Sequence, residues 1–321
     1  MTSRRALLIM LAGSGLSLAG VARAGYLDGP VKIVVDRPAG SPHDLVARAL
    51  ADKLAQALHQ AVVVEDHPGA GGNLAAEYVA RAAPDGRTLL VALDTTLTVN
   101  PTLYKHLPFD AAADLRPLSI LATASTMLVV HPSVPVHSVA EFVAYAKAHP
   151  ITYAHGGNGS PGNLAMEYFR LQAGFPAIGV PYRGNPQVVM ALLAGEVKFG
   201  FVGTAGVIEH VRGGRLRGLA ISSLRRSLLA PDIPTIAEAG YPKFKSEVYY
   251  VLAAPDKIPE NTAALLETKV REALESPDFA QRFRAHGIEI AAIGGTEAKA
   301  RIESDRKLWA KVIAAAGMTV Q

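Results

Sequence analysis

The six-residue pattern Gly-Ser-Pro-x-(Asp/Asn)-Leu occurs twice in this chain, at residues 40–45 and 159–164, 119 positions apart. Each copy follows an extended-looking run (31–35 and 151–154) and opens a helical pattern. Serine is a favoured N-cap and proline suits the first helical position, while the acid or amide falls in the first turn. The chain is therefore expected to build the same strand–turn–helix unit once in each half. A helix N-terminus after a glycine turn leaves N–H groups aimed outward, which suits an anion. Two such units imply two lobes meeting over one anionic ligand. For either copy alone, an ordinary helix start explains the pattern equally well.

The surrounding sequence alternates in the same sense. Short β-rich runs at 31–35, 61–65 and 88–93 are separated by helical stretches at 43–59 and 73–83, the first with Val46, Leu50, Leu54 and Leu58 on one face. Such alternation predicts a parallel sheet with crossover helices. The second half repeats it with strands at 151–154, 178–182, 197–202 and 216–222, a helix over 185–194 and a short one over 205–212. Two longer extended segments, 118–131 and 247–255, read as crossings between lobes. The expected fold class is thus α/β, with two α/β lobes, a ligand cleft between them and two hinge crossings. Lobe 1 is expected over 25–120 plus 256–321, lobe 2 over 121–246, and the second crossing over 247–255. The C-terminal part is expected to be helical at 261–274, 278–285 and 296–316.

Residues 1–24 read as a secretory signal peptide: Arg4 and Arg5, an apolar stretch over 6–18, then Val21-Ala22-Arg23-Ala24 before Gly25. Its removal places the product in a periplasm. It also takes three arginines and no acid from 32 basic and 28 acidic side chains, leaving 29 against 28. That balance excludes the basic excess a nucleic-acid partner requires. With no cysteine there is no disulfide or thiolate metal site.

Enzyme motifs fail one by one. In Gly69-Ala70-Gly71-Gly72-Asn73-Leu74, a dinucleotide fingerprint would need glycine at Leu74. No Gly-Lys-Ser/Thr triplet exists. Ser160 has Asn158 where a nucleophile elbow needs glycine. The ten histidines form no His-x-x-x-His pair. No catalytic residue, metal ligand or cofactor is expected.

The positive candidates are groups that could hold an anion. The backbone N–H groups of Gly40, Ser41 and Ser160 stand at the two helix starts. The hydroxyls of Ser41, Ser160, Thr95 and Thr96 could add to them. Arg183, just past a strand end, either makes a bidentate carboxylate contact or is a turn charge facing solvent.

A longer string of motifs runs over nearly all the chain after residue 24. It includes Val34-Val35-x-x-Pro38-Ala39-Gly40-x-x-x-Asp44, Val63-Val64-Glu65-x-x-Pro68-Gly69-Ala70-Gly71-Gly72-Asn73 and Ala83-Pro84-Asp85-Gly86-x-Thr88-Leu89-Leu90. Asn100-Pro101-x-Leu103-Tyr104, Gly157-Asn158-Gly159-Ser160, Val180-Pro181-Tyr182-Arg183-Gly184 and the decapeptide from Pro231 to Gly240 follow. In this order the set resembles the extracytoplasmic solute-binding proteins of tripartite tricarboxylate transporters, the Bug family.

The resemblance implies a type II periplasmic-binding-protein fold and a small carboxylate ligand, handed to the membrane permease subunits of such a transporter. It implies that the loop Pro38, Ala39, Gly40, Ser41 holds a ligand carboxylate, partly through ordered waters. Asn158, Gly159, Ser160 and Asn163, with Gly203 and Thr204 after the strand at 197–202, would complete the pocket from the other lobe. A monomer is the expected state. The rival readings are a receptor for a membrane sensor kinase and a secreted enzyme acting on a carboxylate. The latter would need a titratable pair, such as Asp94 beside a His or Lys.

Several residues depart from the family pattern. Asp36 and Arg37 stand where proline and an aromatic are usual, Ser41 where glycine is common, and Asn163 where histidine is frequent. An Asp often found near 202–203 is missing, and Asp94 replaces a small residue. Arg37 is thus a candidate contact for a second anionic group. Asp36 or Asp94 is a candidate to bind an amino group or to neutralise Arg37. An aromatic carboxylate and a dicarboxylate both remain open as ligands.

Overall fold

The computed structural model describes residue 27 and residues 29–319; the expected signal peptide lies outside them. The first half builds β1 (Val31–Val35), α1 (Pro42–Leu58), β2 (Val62–Asp66), α2 (Asn73–Ala80) and β3 (Thr88–Leu93). Strand β1 lies between β2 and β3 and is parallel to both. Helix α1 forms for the reasons its sequence states: the Ser41 hydroxyl accepts the Asp44 N–H, Pro42 opens the first turn, and Val46, Leu50 and Leu54 are fully buried along one face. It ends where His59 turns into the left-handed region, at φ 53°. Two short helices follow β3, α3 (Asp94–Thr98) and α4 (Asn100–Leu103).

Strand β4 (Leu115–Val130) then runs for 16 residues, roughly 50 Å at about 3.3 Å per residue. Beyond it come α5 (Val139–Ala148), β5 (Thr152–His155), α6 (Pro161–Ala173), β6 (Ile178–Pro181) and α7 (Asn185–Ala194). They are followed by β7 (Phe199–Gly203), α8 (Thr204–Arg212), β8 (Arg217–Ile221) and β9 (Glu247–Pro255). The chain closes with α9 (Glu260–Leu274), α10 (Pro277–Arg284), β10 (Ile288–Gly294) and α11 (Gly295–Ala316).

The strand order is β2-β1-β3-β9-β4-β7-β5-β6, with β8 and β10 also paired to β4. Strand β4 joins the two lobes. From Leu115 to Ser125 it is antiparallel to β9; from Thr126 to Val130 it is antiparallel to β7 and β8. Strand β9 lies between β3 and the first part of β4 along its length. This central position explains its unbroken apolar run, because both faces are covered. At the junction the Ser222 hydroxyl accepts from the Thr126 N–H at 3.0 Å, and Ser246 N–H bonds Ser222 O at 3.0 Å.

One difference from the sequence reading concerns the C-terminal part. Between two of its helices lies β10, antiparallel to β4 with Ile288 opposite Ala124. Its register shifts between Ile290 and Ile293, so the two-residue alternation that marks a strand is broken midway. Helix α11 then crosses to the second lobe: Trp309, Val312 and Ile313 pack with Leu164 of α6 and with Val99 and Leu103. Among the described residues no helix is long and apolar enough to cross a membrane.

Candidate ligand-binding site

A cavity of about 770 Å³ lies between the lobes, at the ends of β1, β3 and β7 and the starts of α1, α6, α7 and α8. Ligands of open α/β sheets bind at such strand ends. The first-lobe wall is the turn after β1. Asp36 there is fully buried, and its Oδ2 accepts from the Leu93 N–H (3.0 Å), the Thr96 hydroxyl (2.9 Å) and the Arg37 guanidinium (3.3 Å). Arg37 also donates to the Asp36 carbonyl at 3.0 Å. Burial raises the Asp36 carboxyl above its ordinary value, and Arg37 opposes that shift most strongly. The second oxygen, Oδ1, has no hydrogen-bond partner. Gly72, just before α2, packs against this carboxylate and must be glycine: its φ is +99°, and a Cβ there would fall on the Thr96 and Asp36 side chains. Arg37 therefore pairs with Asp36, not with Asp94.

Arg37, Pro38 and Thr95 line the cavity, whereas Ala39, Gly40, Ser41, Asp94 and Thr96 do not. The donors expected at the loop are already used. Gly40 N–H bonds Asp44 Oδ2 at 2.7 Å, and Ser41 N–H bonds the Pro38 carbonyl at 3.1 Å. The Ser41 hydroxyl accepts the Asp44 N–H at 3.3 Å. Asp44, which opens the helix, thereby ties down the loop preceding it. Thr96 is likewise occupied, as a support for Asp36.

Asp94 faces inward. Its Oδ1 accepts the Tyr249 N–H at 3.2 Å, and Tyr249 in turn donates its phenol to Asp305 of α11 at 2.9 Å. Burial, with a smaller push from Asp305, raises the Asp94 carboxyl to about 8. The Tyr249 N–H bond and the Arg301 and Arg37 charges oppose that shift.

Sequence reasoning did not single out His43, the variable position of the first repeat. It is 8 % exposed and lines the cavity, with its ring centroid 4.4 Å from that of Tyr250. Neither ring nitrogen has a hydrogen-bond partner. Burial, aided by the nearby Arg37 charge, pushes the imidazole down to about 3, so it is neutral near pH 7. A histidine at the second position of a helix whose first turn meets a cleft was the available signal.

From the second lobe, Asn158, Gly159, Ser160, Gly203 and Thr204 line the cavity. Asn163 lies behind them, accepting the Gly159 N–H at 3.0 Å and donating to the Tyr153 hydroxyl at 2.8 Å. The Ser160 N–H bonds the Gly157 carbonyl at 3.1 Å. Thr204 bonds the Ser125 hydroxyl at 2.9 Å, across the junction between β4 and α8. Arg183 is exposed and outside the cavity lining, which fits the turn-charge reading.

The two repeat serines differ. Ser41 caps α1, but Ser160 makes no cap bond to α6, and its buried hydroxyl has no partner. Ser41→Ala is therefore expected to cost about 1 kcal/mol of stability, and Ser160→Ala less than about 0.5 kcal/mol. Urea unfolding of the two variants checks this; equal losses would contradict the assignment.

Residues 46–318 match the tripartite tricarboxylate transporter family receptor, TctC. The chain is 33% identical to protein BugT of Bordetella pertussis over 312 residues, covering 96% of this chain and 95% of that one. Two solved structures from Rhodopseudomonas palustris are similar over most of their length. Rpa4515 with adipate shares 29% identity at a TM-score of 0.79, covering 91% of this chain and 98% of that one. MatC with bound malate shares 28% identity at a TM-score of 0.74, covering 89% and 99%.

Proposed function

The chain belongs to the tripartite tricarboxylate transporter receptor (TctC, or Bug) family, and from that premise we propose that it captures a small carboxylate in its cleft for delivery to a membrane permease. Its fold is the two-lobed type II arrangement of periplasmic solute-binding proteins. The observation that carries the reading is the interlobe cavity of about 770 Å³, lined from both lobes at the starts of α1, α6, α7 and α8. The adipate and malate held by the two similar proteins support a carboxylate. The protein acts by binding without turnover, in the periplasm after loss of residues 1–24. Its lobes are taken as 25–120 with 256–321, and 121–246, joined through β4 and the 247–255 segment.

Helix starts alone are too weak for this task. Each contributes ~0.3–1 kcal/mol to an anion, against about 8 kcal/mol for micromolar binding. Direct hydrogen bonds and contacts made by both lobes together must supply the rest. Ligand in 100-fold excess over its dissociation constant adds ~2.7 kcal/mol, a rise in melting temperature of roughly 4–5 °C for a chain of this length unfolding as one unit. A thermal-shift screen should use protein stripped by unfolding and refolding, against aliphatic, aromatic and hydroxylated mono-, di- and tricarboxylates. The expected result is a rise of that size with one class. A flat response to every carboxylate would overturn the proposal.

A further inference from the structure

Among the described residues lining the cavity, Arg37 is the only lysine or arginine. Its guanidinium is held by one nitrogen. Nη1 donates to the Asp36 carbonyl at 3.0 Å and to Asp36 Oδ2 at 3.3 Å. Gly72 makes room for it, since a Cβ there would lie 2.9 Å from Nη1. Nε and Nη2 make no hydrogen bond among the described residues, yet neither belongs to the buried unpartnered atoms; both are open at the surface. Their two parallel N–H groups form the edge that matches both oxygens of a carboxylate.

An arginine serving only as a counter-ion would turn this edge to Asp36. Here Asp36 Oδ2 is filled by the Leu93 N–H and the Thr96 hydroxyl, and Arg37 meets it with a single nitrogen. The remaining donors of the loop are taken. Gly40 N–H bonds the Asp44 carboxylate and Ser41 N–H the Pro38 carbonyl, so the start of α1 already holds an acid of its own chain. The start of α6 does not, because Gly159 N–H there bonds the uncharged Asn163 amide. On the first lobe, the positive charge open to a ligand is Arg37.

Resting on the carboxylate-binding reading above, we propose that Arg37 is a specificity residue of the cleft, its Nε and Nη2 edge donating two parallel bonds to one ligand carboxylate. Asp36 anchors Nη1 and so orients that edge. Being a fully buried acid beside the guanidinium, it also competes with the ligand for the same charge.

The test is isothermal titration of stripped full-length protein with benzoate, hexanoate, adipate, malate and citrate. The double change Asp36→Val with Arg37→Phe removes cation and countercharge together, and urea unfolding establishes that it is folded. For each acid that wild type binds, affinity in the double variant is expected to fall about 10–100-fold, the range for hydrogen bonds to a charged group. Arg37→Lys keeps the charge without the two-point edge and should lie between. Asp36→Asn should bind at least as tightly as wild type, because its amide oxygen still anchors Nη1 and the competing charge is gone. A double variant within about twofold of wild type, or an Asp36→Asn protein as weak as the double variant, overturns this inference and leaves carboxylate binding standing. If the double variant does not fold, Arg37→Lys decides, and an affinity equal to wild type overturns the inference. Absence of binding by all five acids overturns both.

Discussion

Asp36→Ala is expected to destabilise the protein by about 3–5 kcal/mol, the usual cost of removing one partner from a buried ion pair. Three donors converge on Asp36 Oδ2 and lose it together; Thr96 keeps the Gly71 carbonyl at 3.2 Å and Arg37 the Asp36 carbonyl at 3.0 Å. The Arg37 side chain is only 25 % exposed, so water replaces the lost carboxylate incompletely. The Leu93 N–H is buried as well, and such an orphaned group costs ~1–3 kcal/mol, not additively with the lost ion pair. Asp36→Asn keeps an acceptor and should lose less. The double change Asp36→Val with Arg37→Phe removes charge and countercharge together, and apolar replacement of a buried pair is often neutral or better. It should recover most of the stability. Urea unfolding at pH 7 decides: a loss under about 1 kcal/mol in Asp36→Ala would mean the pair does not hold the turn.

Asp94→Asn is expected to raise stability near neutral pH. The Asp94 carboxyl has an ordinary value of 3.8 but keeps its proton up to about 8 when folded, chiefly because of burial. Between these values the folded state binds the extra proton, so stability falls as pH rises through the window. Asparagine does not ionise, and its amide oxygen can still accept the Tyr249 N–H. At about 1.4 kcal/mol per pKa unit, roughly three units at pH 7 give a ceiling of about 4 kcal/mol. The Arg301 and Asp305 charges also act on Asp94 but are common to both proteins, so they largely cancel in the difference. The stability difference between Asp94→Asn and wild type should be small at pH 4 and grow steadily to pH 8. A difference that does not change with pH would show that Asp94 ionises freely in the fold.

Local chemistry was legible in the sequence, and the direction in which side chains point was not. Ser41, Pro42 and Asp44 dictate the start of α1 through contacts within four residues, so the strand–turn–helix unit could be read directly. The same grammar at Ser160 describes the helix start but not the cap: Asn163 fastens Gly159 as Asp44 fastens Gly40, yet the Ser160 hydroxyl makes no bond to α6. Gly162 occupies the place of His43 for a reason no short motif shows: a Cβ there would run into the Phe201 carbonyl of β7. Asp94 was a reasonable cleft candidate at a strand end, yet Tyr249, 155 positions away, draws it inward. The Arg37–Asp36 contact spans adjacent residues, but choosing Asp36 over Asp94 depended on Thr96 and Leu93 gathering around one oxygen. Strand β10 escaped notice because its partner is β4 and its alternation breaks at the register shift.

The central claim is that one carboxylate binds between the lobes, and the crystal structure of the protein with the strongest binder from the thermal-shift screen tests it most directly. The expected result is a single ligand with its carboxylate at the starts of α1 and α6, contacting the 158–160 loop from one lobe and Arg37 or Thr95 from the other. A ligand bound to one lobe alone, or outside the 770 Å³ cavity at saturating concentration, would contradict it.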